Sequence, residues 1–184
     1  MRLFTAINFS DNTRSRLLAL RDELQAKSRS GNFTAPENLH LTLVFLGECD
    51  EKQTVAAKMA INSVNFEPFI LTIAGGGYLD KGRSNLVFSE IKNDSGRNKL
   101  QKLRDELSTN FSAKGFELDG RKFWPHITLG REVVWKDIGD YSSFIDARFP
   151  TIEAHVTSIE LMKSERVGGK LTYTAIYERK SNDA

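Results

Sequence analysis

The sequence predicts a domain of mixed strands and helices that closes in an antiparallel hairpin. Three observations carry this. Short runs of β-formers alternate with three segments of helical periodicity. The C-terminal part reads as a β-hairpin. A His–apolar–Thr–Leu tetrapeptide occurs twice, at residues 40 and 126, each time in a strand-like run that follows a predicted helix.

Residues 2–9 form the first expected strand, ended by a turn signal. Ser10 or Asp11 caps a helix over 12–28 with Leu17, Leu20 and Leu24 on its apolar side. Residues 29–36 read as a polar loop. Residues 39–46, LHLTLVFL, form a strand stopped by Gly47. Asp50 and Gln53 match a capping box opening a helix to about residue 64, with Val55, Met59 and Ala60 facing inward. Strands over 69–74 and 85–91 flank a flexible Gly-rich loop at 75–84. A long amphipathic helix covers 96–114, with Leu100, Leu103, Leu107 and Phe111 at helical spacing and Gly115 as its terminator. Residues 125–133 form a strand, and 135–149 a short helical turn and loop. Strands over 151–164 and 171–179 make the closing hairpin. The apolar residues of the first change parity between Val156 and Ile159, which predicts a β-bulge at Thr157 and Ser158.

Composition narrows the function. The 184 residues suit one domain, and 12 Phe, 4 Tyr and 2 Trp supply a core. The single Cys49, a packed or exposed thiol, excludes an intramolecular disulfide framework and a Cys-rich zinc site. With 26 Lys and Arg against 24 Asp and Glu, a nonspecific nucleic-acid coat is excluded. No run approaches the ~20 apolar residues of a membrane span, and the first residues do not read as a secretion signal. The expectation is a cytoplasmic monomer without membrane contact.

Side chains alternate across a strand. His40 and Thr42 therefore share one face, with Leu41 and Leu43 on the other; His126 and Thr128 likewise oppose Ile127 and Leu129. If two similar lobes pack about a pseudo-two-fold, the polar faces line one cleft holding two imidazoles and two hydroxyls. Imidazole titrates near 6.5, so one ring can act as general base while the other acts as general acid. The hydroxyls can hold phosphate oxygens between the rings. This suits phosphoester chemistry without a metal.

The paired HLTL and HITL motifs resemble the two signatures of the 2H phosphoesterase superfamily, and within it the RNA 2′,3′-cyclic phosphodiesterase branch, also called 2′-5′ RNA ligase. RLFTAINF, ENLHLTLVFLGE, FWPHITLGR and LMKSERVGGKLTYT are similar to segments of that branch and span nearly the whole chain. The resemblance implies a single α+β domain, residues 1–184, of two intertwined lobes about a pseudo-two-fold, with two antiparallel sheets facing a central cleft and helices outside. It implies hydrolysis of RNA 2′,3′-cyclic phosphate ends to 2′-phosphomonoesters with no metal or other cofactor, and ligation to a 2′-5′ linkage as the reverse reaction. His40 would be the general acid, His126 the general base, and Thr42, Thr128 and Arg131 phosphate contacts; Phe45 would line the substrate pocket. Arg131 is at odd parity from His126 and Thr128 and reaches the cleft only if the strand ends or bulges near Gly130.

Other features read as structural. A lone histidine is more often a hydrogen-bonded structural residue, and only the matched threonines reverse that for His40 and His126. His155 has no such partner; a zinc site of the three histidines is neither marked nor excluded by spacing. Gly75-Gly76-Gly77 lacks the spacing of a phosphate-binding loop. Phe69, Tyr78 and Phe88 read as core. Lys81, Arg83, Lys163, Arg166 and Lys170 read as solvated charge or as a basic rim for RNA. The competing functions are a phosphodiesterase on a small cyclic nucleotide or a 2′-5′ oligonucleotide, and a binding module without turnover.

Overall fold

In the computed structural model, which describes residues 1–137 and 149–182, the N-terminal strand β1 (Arg2–Asn8) is an inner strand. Leu3 to Ile7 are all buried because both faces of β1 are covered. It pairs antiparallel with β3 (His40–Glu48) and β8 (Ser158–Val167), and β8 pairs with β9 (Lys170–Lys180), giving the sheet order β3-β1-β8-β9. The second sheet has the order β2-β6-β5-β4-β7, from β2 (Ser28–Phe33), β4 (Phe69–Asp80), β5 (Asn85–Ile91), β6 (His126–Trp135) and β7 (Ile152–Val156). All its pairings are antiparallel.

The helices are α1 (Asp11–Lys27), α2 (Glu51–Asn62) and α3 (Ser95–Ala113). Ser10 caps α1 by accepting from the Thr13 N–H, and Leu17, Leu20 and Leu24 are buried as expected. Asp50 and Gln53 form the reciprocal capping box of α2. α3 buries Leu100, Leu103, Leu107 and Phe111 and is followed by Gly115 at φ +84°. One hydrophobic cluster joins residues of all three helices and both sheets. Among the described residues no helix is long and apolar enough to cross a membrane.

Five sequence expectations are corrected. Residues 29–36 are not all loop: β2 takes its ladder from β6 as an edge strand, where polar residues are tolerated because little of it is buried. Its hydrophobic pattern was therefore silent. Gly47 does not stop β3; at φ +76° it continues the strand beside a bulge opposite Leu3 and Phe4. Val55 and Met59 face solvent, because α2 turns Thr54, Ala57, Ala60 and Ile61 inward and uses small residues for close approach. The 75–84 loop is largely strand, since β4 runs to Asp80 through a bulge between Ile73 and Gly76. The parity change at Thr157 is not a bulge within one strand. β7 belongs to the five-stranded sheet and β8 to the four-stranded one, so Thr157 is where the chain changes sheets. The short helical turn expected within 135–149 lies mostly outside the described residues; β6 runs on to Trp135.

Candidate active site

His40 opens β3 and His126 opens β6, each placed by a turn that contains or ends in proline. Leu41, Leu43, Ile127 and Leu129 are buried in the core, whereas His40, Thr42, His126 and Thr128 are only half-buried on the opposite faces. The alternation read from sequence therefore holds in both strands.

Each strand then does the same thing one residue later. On β3, Thr42 faces Ala6 and Val44 faces Thr5, so Leu43 is an extra residue in the ladder. On β6, Thr128 faces Phe88 and Gly130 faces Val87, so Leu129 is extra. Two consecutive inward residues follow each motif: Leu43 and Val44, then Leu129 and Gly130. The bulge reverses parity. It turns Phe45 and Arg131, both five residues after their histidine, toward the cleft. Gly130 is required there because a Cβ would lie 2.8 Å from Val133. The condition set by sequence for Arg131 is thus met by backbone geometry.

The two imidazoles are held alike. The Nδ1 of His40 lies 2.7 Å from the Asn38 carbonyl, and that of His126 lies 2.9 Å from the Trp124 carbonyl. Donation from Nδ1–H to those carbonyls leaves Nε2 as the unprotonated ring nitrogen of a neutral imidazole. The Nε2 of His40 is 2.9 Å from the Thr42 hydroxyl. Aromatic rings flank both. Phe4 and Tyr173 approach His40 at 5.0 and 5.2 Å between centroids. Trp124 stacks on His126 at 4.3 Å, and Phe88 meets it edge-on at 5.7 Å. Phe45, 61% exposed, lies 5.9 Å from Phe4 at the cleft mouth.

Burial by these rings lowers the pKa of His40 to about 4; the Asn38 carbonyl pulls the other way, and the charges of Arg131 and His126 add to the lowering. Burial also lowers the pKa of His126, opposed by the Trp124 carbonyl and helped by Arg131. Arg131 is therefore within electrostatic reach of both rings, and the rings of each other.

Sequence reasoning missed Phe4, Trp124, Tyr173 and Asn38, and took Phe88 for plain core. Phe88 is buried, but its ring also walls His126. The buried Asn38 donates from Nδ2 to the Leu171 carbonyl and accepts from the Tyr173 N–H at Oδ1, pinning β9 beside His40. Phe4 shares the cleft face with His40 across β1, a signal visible only once strand pairing is known. His155 does not join the pair: it is on edge strand β7, separated from β6 by β4 and β5, about 14 Å at the usual strand spacing. Cys49 is buried behind β3.

Residues 9–168 match the family model of the 2′-5′ RNA ligase superfamily. The chain belongs to that superfamily. Among its relatives, an RNA 2′,3′-cyclic phosphodiesterase of Thermotoga maritima is 32% identical over 97% of this chain and 94% of that protein. A protein of the same name from Archaeoglobus fulgidus is 31% identical over 71% and 72%. The crystal structure of Escherichia coli LigT complexed with 3′-AMP superimposes with a TM-score of 0.80 at 25% identity, covering 98% of each chain. Two antiparallel sheets with helices, as expected from sequence, are the fold that this superfamily member shares with LigT.

Proposed function

We propose that this superfamily member is an RNA 2′,3′-cyclic phosphodiesterase that opens the cyclic phosphate to a 2′-phosphomonoester by two-histidine acid–base catalysis. The observation that carries the reading is the duplicated arrangement of His40 and His126. Each has Nδ1 tied to a main-chain carbonyl, with a threonine two residues on along the same strand face. Full-length similarity to proteins of that name supports the substrate class.

In this reading Thr42, Thr128 and Arg131 hold the non-bridging oxygens between the rings, and Phe45 borders the terminal nucleoside. The His126 Nε2 takes a proton from water. The oxygen of that water bonds to phosphorus, the P–O3′ bond breaks, and the His40 Nε2 gives its proton to O3′. The product keeps the phosphate on O2′. Reversal with a 5′-hydroxyl in place of water gives a 2′-5′ linkage as a secondary activity. Both rings are biased toward the neutral form in the free site. The phosphate anion offsets that bias, so His40 takes up its proton as substrate binds. The chain acts as one domain of two intertwined lobes, and a monomer holds the whole site, since both histidines and Arg131 come from one chain.

A second assignment exchanges the acid and base, favoured by the deeper burial of His40. An aryl phosphodiester, whose leaving group needs no proton, restores activity only to the variant lacking the acid. The reaction itself is tested with an oligoribonucleotide ending in a 2′,3′-cyclic phosphate. A 2′-phosphate product is expected, and a 3′-phosphate or no product refutes the reading.

A further inference from the structure

A second recess opens at the end of the four-stranded sheet where Arg2 pairs with Glu48, the far end of β1 from the pairing of Asn8 with His40. Ser164 on β8 lies opposite Arg2 on one side and Tyr173 on the other. One same-face step further out, Arg166 lies opposite Leu171. Same-face residues recur about every 6.6–6.8 Å along a strand, so this row follows directly on the one that holds Phe4 and Phe45. Arg2, Ser164, Arg166 and Leu171, with Glu48 and Lys163, line an open pocket of about 580 Å³. That volume suits a nucleotide-sized ligand.

The charges there are not balanced. Glu48 is matched by the Met1 ammonium at 3.6 Å, and Lys163 by Glu165 at 2.7 Å. Arg2 and Arg166 form no ion pair among the described residues, which leaves two exposed guanidinium groups. Arg166 is held at the hairpin turn by donating from Nη1 to the Gly169 carbonyl at 3.0 Å. The recess is also mechanically tied to His40. Asn38 bonds the main chain of Leu171 and Tyr173 through its side chain, and its own carbonyl meets the His40 Nδ1. The wall of the pocket and the imidazole therefore hang from one buried residue.

We infer that this recess binds the nucleotide on the 5′ side of the cyclic-phosphate end of a single-stranded RNA, with its phosphodiester between Arg2 and Arg166. The inference rests on the reaction proposed above. A cationic groove with aromatic rings along it is how single strands are held without sequence readout, and Phe45 and Tyr173 border the step between the two phosphates. The occupant is an anion with a planar base attached, which makes Arg rather than Lys the fitting cation.

The test compares a mononucleoside 2′,3′-cyclic phosphate with a dinucleotide carrying the same end, on the wild type and on Arg2→Gln/Arg166→Gln. Both positions are exposed, so the fold is kept; Arg166→Gln alone serves if the double variant folds poorly. For the dinucleotide, kcat/KM should fall about tenfold, as loss of a charge-assisted contact implies. Its salt dependence should weaken by about 0.7 in log–log slope for the lost phosphate contact. The mononucleotide rate should stay unchanged. Equal losses on both substrates, or none on the dinucleotide, would overturn the inference. If the wild type turned over neither substrate, the reaction would be wrong, and the recess would still be decided by fluorescence anisotropy of a labelled dinucleotide 2′-phosphate. Weaker binding by the double variant would support the recess, and equal binding would refute it.

Discussion

Acid should destabilise this protein through His40 more than through any ordinary surface histidine. The imidazole is walled by Phe4 and Tyr173, and burial holds its pKa to about 4 in the folded chain. In the unfolded chain it titrates near 6.5. As pH falls from 6.5 toward 4 the unfolded state takes up a proton that the folded state refuses, so stability falls with falling pH and is unaffected above about 7. The difference amounts to about 2 kcal/mol at pH 5 and about 3 kcal/mol once pH is below 4. His40→Asn removes the titration while its amide can still donate to the Asn38 carbonyl. Urea unfolding of both proteins at pH 7.5 and pH 5 isolates the term, because the buried Glu160, whose pKa burial raises, is present in both and the coupling to His126 is the smallest of the contributions to the His40 shift. The wild type should lose about 2 kcal/mol more than the variant between the two pH values. Equal losses would show that the rings do not hold His40 neutral, and proton uptake on substrate binding would fall with that conclusion.

Two further outcomes follow from the same packing. Asn38→Ala leaves the Leu171 carbonyl and the Tyr173 N–H without their partner, so urea unfolding should show a loss of about 2–4 kcal/mol and kcat/KM should drop as Tyr173 leaves His40; a loss under about 0.5 kcal/mol would contradict the role given to Asn38. In Gly77→Ala the new Cβ would meet the Phe88 ring at 2.5 Å, and Phe88 must move against Trp124 and His126. A displacement of ~1 Å there should cost up to about 100-fold in kcat/KM, with a thermal midpoint lowered only modestly; full activity would show that the Phe88 wall does not position His126.

What sequence could reveal here depended on whether the information was local. The caps Ser10 and Asp50, the apolar stripe of α3 and the alternation of His40, Leu41, Thr42 and Leu43 are set by neighbours along the chain, and all were legible. The bulges at Leu43 and Leu129 are set by the partner strand, so Phe45 and Arg131 turn into the cleft for a reason absent from their own segments. Arg131 carried a hint in the preceding Gly130; Phe45 carried none beyond the family likeness. β2 is polar because it is an edge, and Thr157 hides a change of sheet behind an ordinary change of parity. Val55 and Met59 mimicked an inward stripe, whereas the face that packs is made of Thr54, Ala57, Ala60 and Ile61. The rings around the two histidines come from β1, β5, β9 and the segment before β6, and only tertiary pairing assembles them.

The most direct test of the central claim is the turnover of an oligoribonucleotide ending in a 2′,3′-cyclic phosphate, measured with EDTA present for the wild type, His40→Ala and His126→Ala. The wild type should release only the 2′-phosphate. Each variant, with an unchanged circular dichroism spectrum, should be slower by at least about 10²-fold, the contribution expected of one proton-transfer group. A variant that kept the wild-type rate, or a wild type that left a 3′-phosphate, would contradict catalysis by this histidine pair.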